Sequence, residues 1–152
     1  MRTLNDWLDE YADSHRNAVN KTLHWICVPL IAFAVLGGLA SLPAPAALGT
    51  VGGWAGVAVL PALAYWLRLS WRLALGMLPI LGAFALSLHA LAAAGPPLWL
   101  SCLVIFVVAW IGQFVGHAIE GRRPSFFKDL QFLLIGPLWL LAAAYSAAGL
   151  RR

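Results

Sequence analysis

Long apolar runs separated by short polar breaks organise this chain of 152 residues. The runs cover about 24–42, 47–67, 72–94 and 97–117, each close to the ~20 residues that carry a helix across a bilayer core. Pro43 and Pro45 close the first run, and Gly95-Pro96-Pro97 separates the third from the fourth. A fifth run, about 130–150, holds Gly136-Pro137 near its start, and reads either as a kinked crossing or as a re-entrant segment. Ahead of these runs the period changes. Leu4, Trp7, Leu8 and Tyr11 recur at i, i+3, i+4 and i+7, while Asp6, Asp9, Glu10 and Asp13 occupy the rest. This predicts a short amphipathic helix over 3–13 whose aromatic face suits either the membrane interface or the polar end of the protein itself. The expected fold is an all-α integral membrane protein, with four to five transmembrane helices behind a short amphipathic N-terminal helix, in a single membrane domain over 1–152.

Composition supports this class. The chain is 62% hydrophobic and only 11% charged, against about 25% charged in soluble domains. The net charge of +4 does not point to nucleic acid, because the basic residues flank apolar runs instead of forming a stripe. Their positions set an orientation. Arg2, Arg16 and Lys21 precede the first run, Arg68 and Arg72 lie between the second and third, and Arg122, Arg123 and Lys128 follow the fourth. The loops at 43–46 and 95–97 carry no charge. By the positive-inside rule the N-terminus and the 68–72 and 118–129 loops are cytoplasmic. A fifth full crossing would place Arg151 and Arg152 outside, which a re-entrant last segment avoids. Gly49, Gly52, Gly53 and Gly56, and also Gly112 and Gly116, have the small-residue spacing of close helix contacts. Cys27 and Cys102 sit in apolar runs without a CxxC pattern and read as small apolar fillers. Residues 1–20 are polar and lack the apolar core of a signal sequence.

Two polar clusters interrupt this apolar background: His15 to His24, and Gln113 to Pro124. The predicted orientation brings His15, His24 and His117 to one membrane face. Asn17, Asn20 and His24 share one helical face, as do Gln113, His117 and Glu120. His15 and His24 do not share a face of one straight helix, which predicts a chain break near Ser14–Asn17 that folds His15 back. Histidines near lipid tend to mark function, and mixed histidine and carboxylate sets suit iron, zinc or manganese. Asn17, Asn20 and Gln113 would then orient imidazole rings. Arg16, Lys21, Arg122 and Arg123 could hold a carboxylate or a phosphate headgroup. His89 falls at the opposite face and reads as a structural hydrogen-bonding residue.

The clusters resemble the membrane-bound 2-hydroxy fatty acid dioxygenase family of fatty acid α-oxidation. The matching residues are Tyr11, His15, Asn17, Asn20, His24 and Pro29, then Gln113, Phe114, Gly116, His117, Glu120, Arg123 and Pro124, followed by Gly136-Pro137. The resemblance implies an Fe(II) enzyme that uses molecular oxygen to shorten a long-chain 2-hydroxy fatty acid by one carbon, releasing carbon dioxide. It implies His15, His24 and His117 as the essential histidines, with Glu120 a ligand, a proton carrier or an orienting partner. The predicted orientation puts the site at the cytoplasmic face, and the compact chain with minimal loops suggests a bacterial cytoplasmic membrane, with the endoplasmic reticulum expected for a eukaryotic relative. Two departures stand out. Ala18 replaces a proline frequent in relatives, and Leu141-Ala142-Ala143-Ala144 lacks an acidic residue that some relatives carry after the Gly-Pro. Two other readings compete: a b-type haem protein with His24 and His117 as axial ligands, and a non-catalytic lipid-binding or transport protein. Transport fits poorly, since the second and third runs hold only Thr50, Ser70, Ser87 and His89 as polar interruptions.

Overall fold

In the computed structural model, residues 2–124 and 131–150 are described. Lys128, Arg151 and Arg152, on which part of the topology reading rests, lie outside the described residues. Six α-helices follow in order: α1 (Leu4–Asp13), α2 (Ala18–Ala40), α3 (Gly53–Leu69), α4 (Trp71–Ala93), α5 (Leu98–Glu120) and α6 (Phe132–Ala147). There is no strand among the described residues. The helices α2, α4 and α5 are long and apolar enough to cross a membrane, and α3 and α6 are shorter apolar helices. Large apolar side chains on their outer faces are open, among them Leu86 at 75% and Val108 at 62%. Such a surface is unfavourable in water and natural in lipid.

Thr3 starts α1 with a reciprocal cap. Its hydroxyl accepts from the Asp6 N–H while the Asp6 carboxylate accepts from the Thr3 N–H. The apolar face of α1 packs on the protein itself: Trp7, Leu8 and Tyr11 are buried, and the Trp7 ring meets Phe132 edge-on at 5.2 Å. The helix ends at Ser14, and Asn17 begins the next by accepting from the N–H groups of Val19 and Asn20. That cap starts α2 six residues before the apolar run at 24–42 begins, so the polar residues Asn20 and Lys21 are helical. The run at 47–67 also differs from its helix. Residues Ala46–Val51 form a 3-10 turn, and Gly52, at φ +84°, turns the chain into α3. That left-handed backbone explains Gly52 without any helix packing.

Packing is tightest between α2 and α5, which run antiparallel. A Cβ at Gly112 would sit 2.6 Å from Cys27 Sγ, and one at Gly116 would collide with the Asn20 carboxamide. Asn20 cannot swing away freely, because its Nδ2 donates to the Ser14 carbonyl at 3.2 Å and to Glu120 at 3.0 Å. Gly116→Ala is therefore expected to lower the thermal unfolding midpoint in detergent. Overpacking costs about 1–3 kcal/mol, which outweighs the ~0.5–1 kcal/mol gained by replacing a helical glycine. Gly38→Ala is the control, since a Cβ there meets nothing within 4 Å. A Gly116→Ala midpoint no lower than that of Gly38→Ala would show that the α2–α5 contact has slack.

The last helix takes a path that periodicity could not reveal. Phe132 at its start packs on Trp7 and Tyr11, and the Leu134 carbonyl accepts from Trp66 Nε1 at 3.0 Å. Near its end, Leu141 and Tyr145 abut Gly76. Trp66 and Gly76 both lie within two turns of the α3–α4 junction at Ser70. Thus α6 packs beside α1 and reaches the α3–α4 junction at one end of the bundle. This is the end that carries the polar clusters.

Candidate metal centre

His15 stands in the Ser14–Asn17 break, His24 two turns into α2, and His117 in the last turn of α5. Helix packing brings all three together. Each is at least 96% buried, and one ring nitrogen from each lies within 4.8 Å of the others. The His15 and His24 rings meet at 4.1 Å between centroids, and His117 lies 5.0 Å from His15 and 4.9 Å from His24.

Hydrogen bonding fixes which nitrogens face inward. His15 Nδ1 lies 2.5 Å from the Tyr11 carbonyl, and His24 Nδ1 lies 2.9 Å from the Asn20 carbonyl. A carbonyl only accepts, so both Nδ1 atoms carry hydrogen. Each Nε2 of a neutral ring is then a bare lone pair, yet the two Nε2 atoms are 2.9 Å apart. Burial, and then the neighbouring His24, push the His15 imidazole down to about 3, so a shared proton is a poor explanation. A cation between the lone pairs removes the repulsion. His117 adds a third donor: its ring interacts with the Arg122 backbone, and its Nδ1 is buried without a hydrogen-bond partner among the described residues. Imidazoles that donate one nitrogen to a carbonyl and offer the other are the usual form of metal-ligating histidine. The three residues fit a divalent transition metal, and their nitrogen donors alone do not select which.

The remaining predicted site residues take distinct places. Gln113 is buried and interacts with His24. Asn17 caps α2, and Asn20 ties α2 to the loop below it. Glu120 does not join the converging ligand atoms. Its Oε1 accepts from the Arg16 N–H at 2.9 Å, and its Oε2 accepts from the Asn17 N–H at 2.8 Å and from Asn20 Nδ2. It holds the loop that carries His15. Arg16 is exposed and paired with Asp13 at 2.5 Å, and Lys21 is exposed. Arg122 and Arg123 line a cavity of about 330 Å³ that also touches His117 and Phe114. His89 is exposed at the other end of α4.

Sequence reasoning named Asn17, Asn20 and Gln113 around the histidines but missed the aromatic side chains packed on His15. Tyr11 stacks flat on His15 at 4.2 Å and 14°, and Trp139 backs both at 5.4 and 5.5 Å. One signal was available: Tyr11 and Asn20 each precede a histidine by four residues, the spacing at which a carbonyl at a helical turn meets the side chain. Trp139 had none, because its approach depends on the path of α6.

A larger apolar cavity, about 610 Å³, opens from the histidines between the helices. It runs beside Val28, Ala32 and Leu36 of α2, with Ile80 and Phe84 of α4 and Phe106 of α5 on other walls. From His24 to Leu36 this is ~18 Å of helix. The buried polar side chains, Ser14, His15, Asn20, His24, Gln113 and His117, all lie at one end. No polar path through the described bundle is formed. Nor do the His24 and His117 rings, edge to face at 4.9 Å, leave a slot for a porphyrin between them.

No curated protein and no solved structure matches this chain. A family model described as 2-hydroxy-palmitic acid dioxygenase Mpo1-like matches residues 1–148. With nearly the whole sequence covered, both polar clusters included, the chain belongs to the 2-hydroxy-palmitic acid dioxygenase Mpo1-like family.

Proposed function

We propose that this protein is an Fe(II)-dependent dioxygenase that converts a long-chain 2-hydroxy fatty acid and molecular oxygen into the fatty acid one carbon shorter, carbon dioxide and water. The C1–C2 bond is broken, C2 becomes the new carboxyl carbon, and oxygen is the oxidant. The observation that carries this reading is a buried set of three histidines at the mouth of an apolar cavity of about 610 Å³, within the ~300–1,000 Å³ of small-molecule sites. Family membership supports the same reaction class.

His15 and His24 through Nε2, and His117 through Nδ1, would hold the metal. Bound Fe(II) would supply oxygen activation and coordination of the substrate's carboxylate and hydroxyl oxygens. The chain's own residues do the rest. The Tyr11 and Asn20 carbonyls fix the tautomers of His15 and His24. Arg122 and Arg123, beside His117, offer charge to the substrate carboxylate. The cavity walls take the acyl chain out of water, worth ~0.8 kcal/mol per CH₂, which favours long chains. All these groups lie at the end of the bundle that the basic residues mark as cytoplasmic.

The direct test is product analysis by mass spectrometry. Iron-loaded, detergent-solubilised protein supplied with 2-hydroxyhexadecanoate and oxygen is expected to yield pentadecanoate, while hexadecanoate is left unchanged. Folded, iron-bound protein that leaves 2-hydroxyhexadecanoate intact would overturn the substrate assignment. Failure to bind iron would favour a lipid-binding role instead.

A further inference from the structure

We infer that the Tyr11 hydroxyl recognises the 2-hydroxyl group of the substrate, and so separates 2-hydroxy acids from unsubstituted fatty acids. This rests on the reaction proposed above. The Tyr11 side chain is 6% exposed. Its ring is held flat on His15 and flanked by Phe132 and Trp139, so the direction of its hydroxyl is fixed. The hydroxyl reaches past the imidazole towards α6, where a Cβ at Gly136 would lie 3.0 Å from its oxygen, with Val28 close by. Tyr11, Val28, Gly136 and Pro137 all line the large cavity together with the three histidines.

Among the described residues no side chain or backbone group hydrogen-bonds this hydroxyl, although the Tyr11 carbonyl is engaged with His15. Its oxygen is not among the fully enclosed unpaired atoms, so it faces the cavity that Tyr11 lines, where a phenol seeks a partner. Here the open side is the junction between the polar histidines and the apolar walls. A 2-hydroxy acid placed with its head at the histidines and its chain in the cavity has one polar group at that junction, the C2 hydroxyl. The tyrosine can donate to its oxygen or accept from it. A site built this way disfavours an analogue without the hydroxyl, because the phenol then stays unpaired.

Tyr11→Phe removes the hydroxyl while keeping the ring on His15. The measurement is anaerobic equilibrium binding of 2-hydroxyhexadecanoate and of hexadecanoate to iron-loaded protein, with bound iron and turnover followed in parallel. Tyr11→Phe is expected to weaken 2-hydroxyhexadecanoate about 10-fold, raise its KM similarly, and leave hexadecanoate affinity and iron content unchanged. Gly136→Ala, which displaces the hydroxyl but keeps the tyrosine, is likewise expected to weaken 2-hydroxyhexadecanoate and to spare hexadecanoate. Unchanged binding of the hydroxy acid, or equal losses for both ligands, would overturn the inference and leave Tyr11 a structural platform. Wild-type protein that binds the hydroxy acid selectively but does not turn it over would overturn the proposed reaction alone, and the binding comparison would still decide the role of Tyr11.

Discussion

Replacing His117 by alanine is expected to abolish turnover and stoichiometric metal binding while the protein stays folded. The three histidines differ in what they hold besides a metal. His15 supports the Tyr11 stack and bonds the Tyr11 carbonyl, and His24 bonds the Asn20 carbonyl. The His117 ring bonds only the Arg122 backbone just past its own helix, and its Nδ1 has no partner among the described residues, so its removal costs the fold least. Loss of a group that merely orients a ligand typically weakens metal affinity ~10–100-fold, and loss of a ligand should exceed that. The check is metal analysis of purified protein beside thermal unfolding in detergent and product formation. The expected variant melts within a few degrees of wild type, carries little iron and makes no shortened acid. A His117→Ala protein with wild-type iron and wild-type turnover would remove His117 from the centre and break the three-histidine reading.

The meeting of the three histidines was legible in the sequence for a specific reason. Apolar runs near the length of a crossing, with Arg and Lys at alternate breaks, fix which helix ends share a membrane face. With 68–72 and 118–129 read on one side, the start of α2 and the end of α5 share a depth and can meet, and the packing of α2 on α5 brings them together. Local signals were equally direct for α1, where the spacing of Leu4, Trp7, Leu8 and Tyr11 states its buried face, and for the break at Ser14–Asn17.

What escaped the sequence depends on distance and direction. The face shared by Gln113, His117 and Glu120 says that Glu120 points towards α2, but not whether its oxygens reach imidazoles or backbone N–H groups. Gly52 and Gly53 look like part of a packing stripe until their positive φ values show a turn. Residues 132–147 are apolar on all sides, so no periodicity distinguishes a helix that crosses from one that lies over the bundle. The contacts of Leu134 with Trp66, and of Tyr145 with Gly76, are what place its two ends beside α3 and α4.

Glu120→Ala is expected to cut iron affinity ~10–100-fold, with turnover restored by excess Fe(II). The carboxylate touches no imidazole in the hydrogen-bond network. It gathers the N–H groups of Arg16 and Asn17, in the turn between α1 and α2, and the side-chain amide of Asn20, in the first turn of α2. Without it, the loop bearing His15 is tied to α5 only through packing, and the Asn20 side-chain amide keeps only its bond to the Ser14 carbonyl. Hydrogen bonds to a charged acceptor are the strong ones, so Glu120→Gln should lose part of the effect and Glu120→Ala most of it. Asn20→Ala breaks the same connection from the other side. The double variant should therefore lose less affinity than the two single losses combined, because the residues share one network. Iron titrations of the four proteins, with turnover at each iron level, separate the roles available to this carboxylate. A positioning role predicts weak binding that saturating iron overcomes. Normal iron affinity with no turnover at any iron level would instead make Glu120 a participant in the chemistry, one that takes or gives a proton at the substrate.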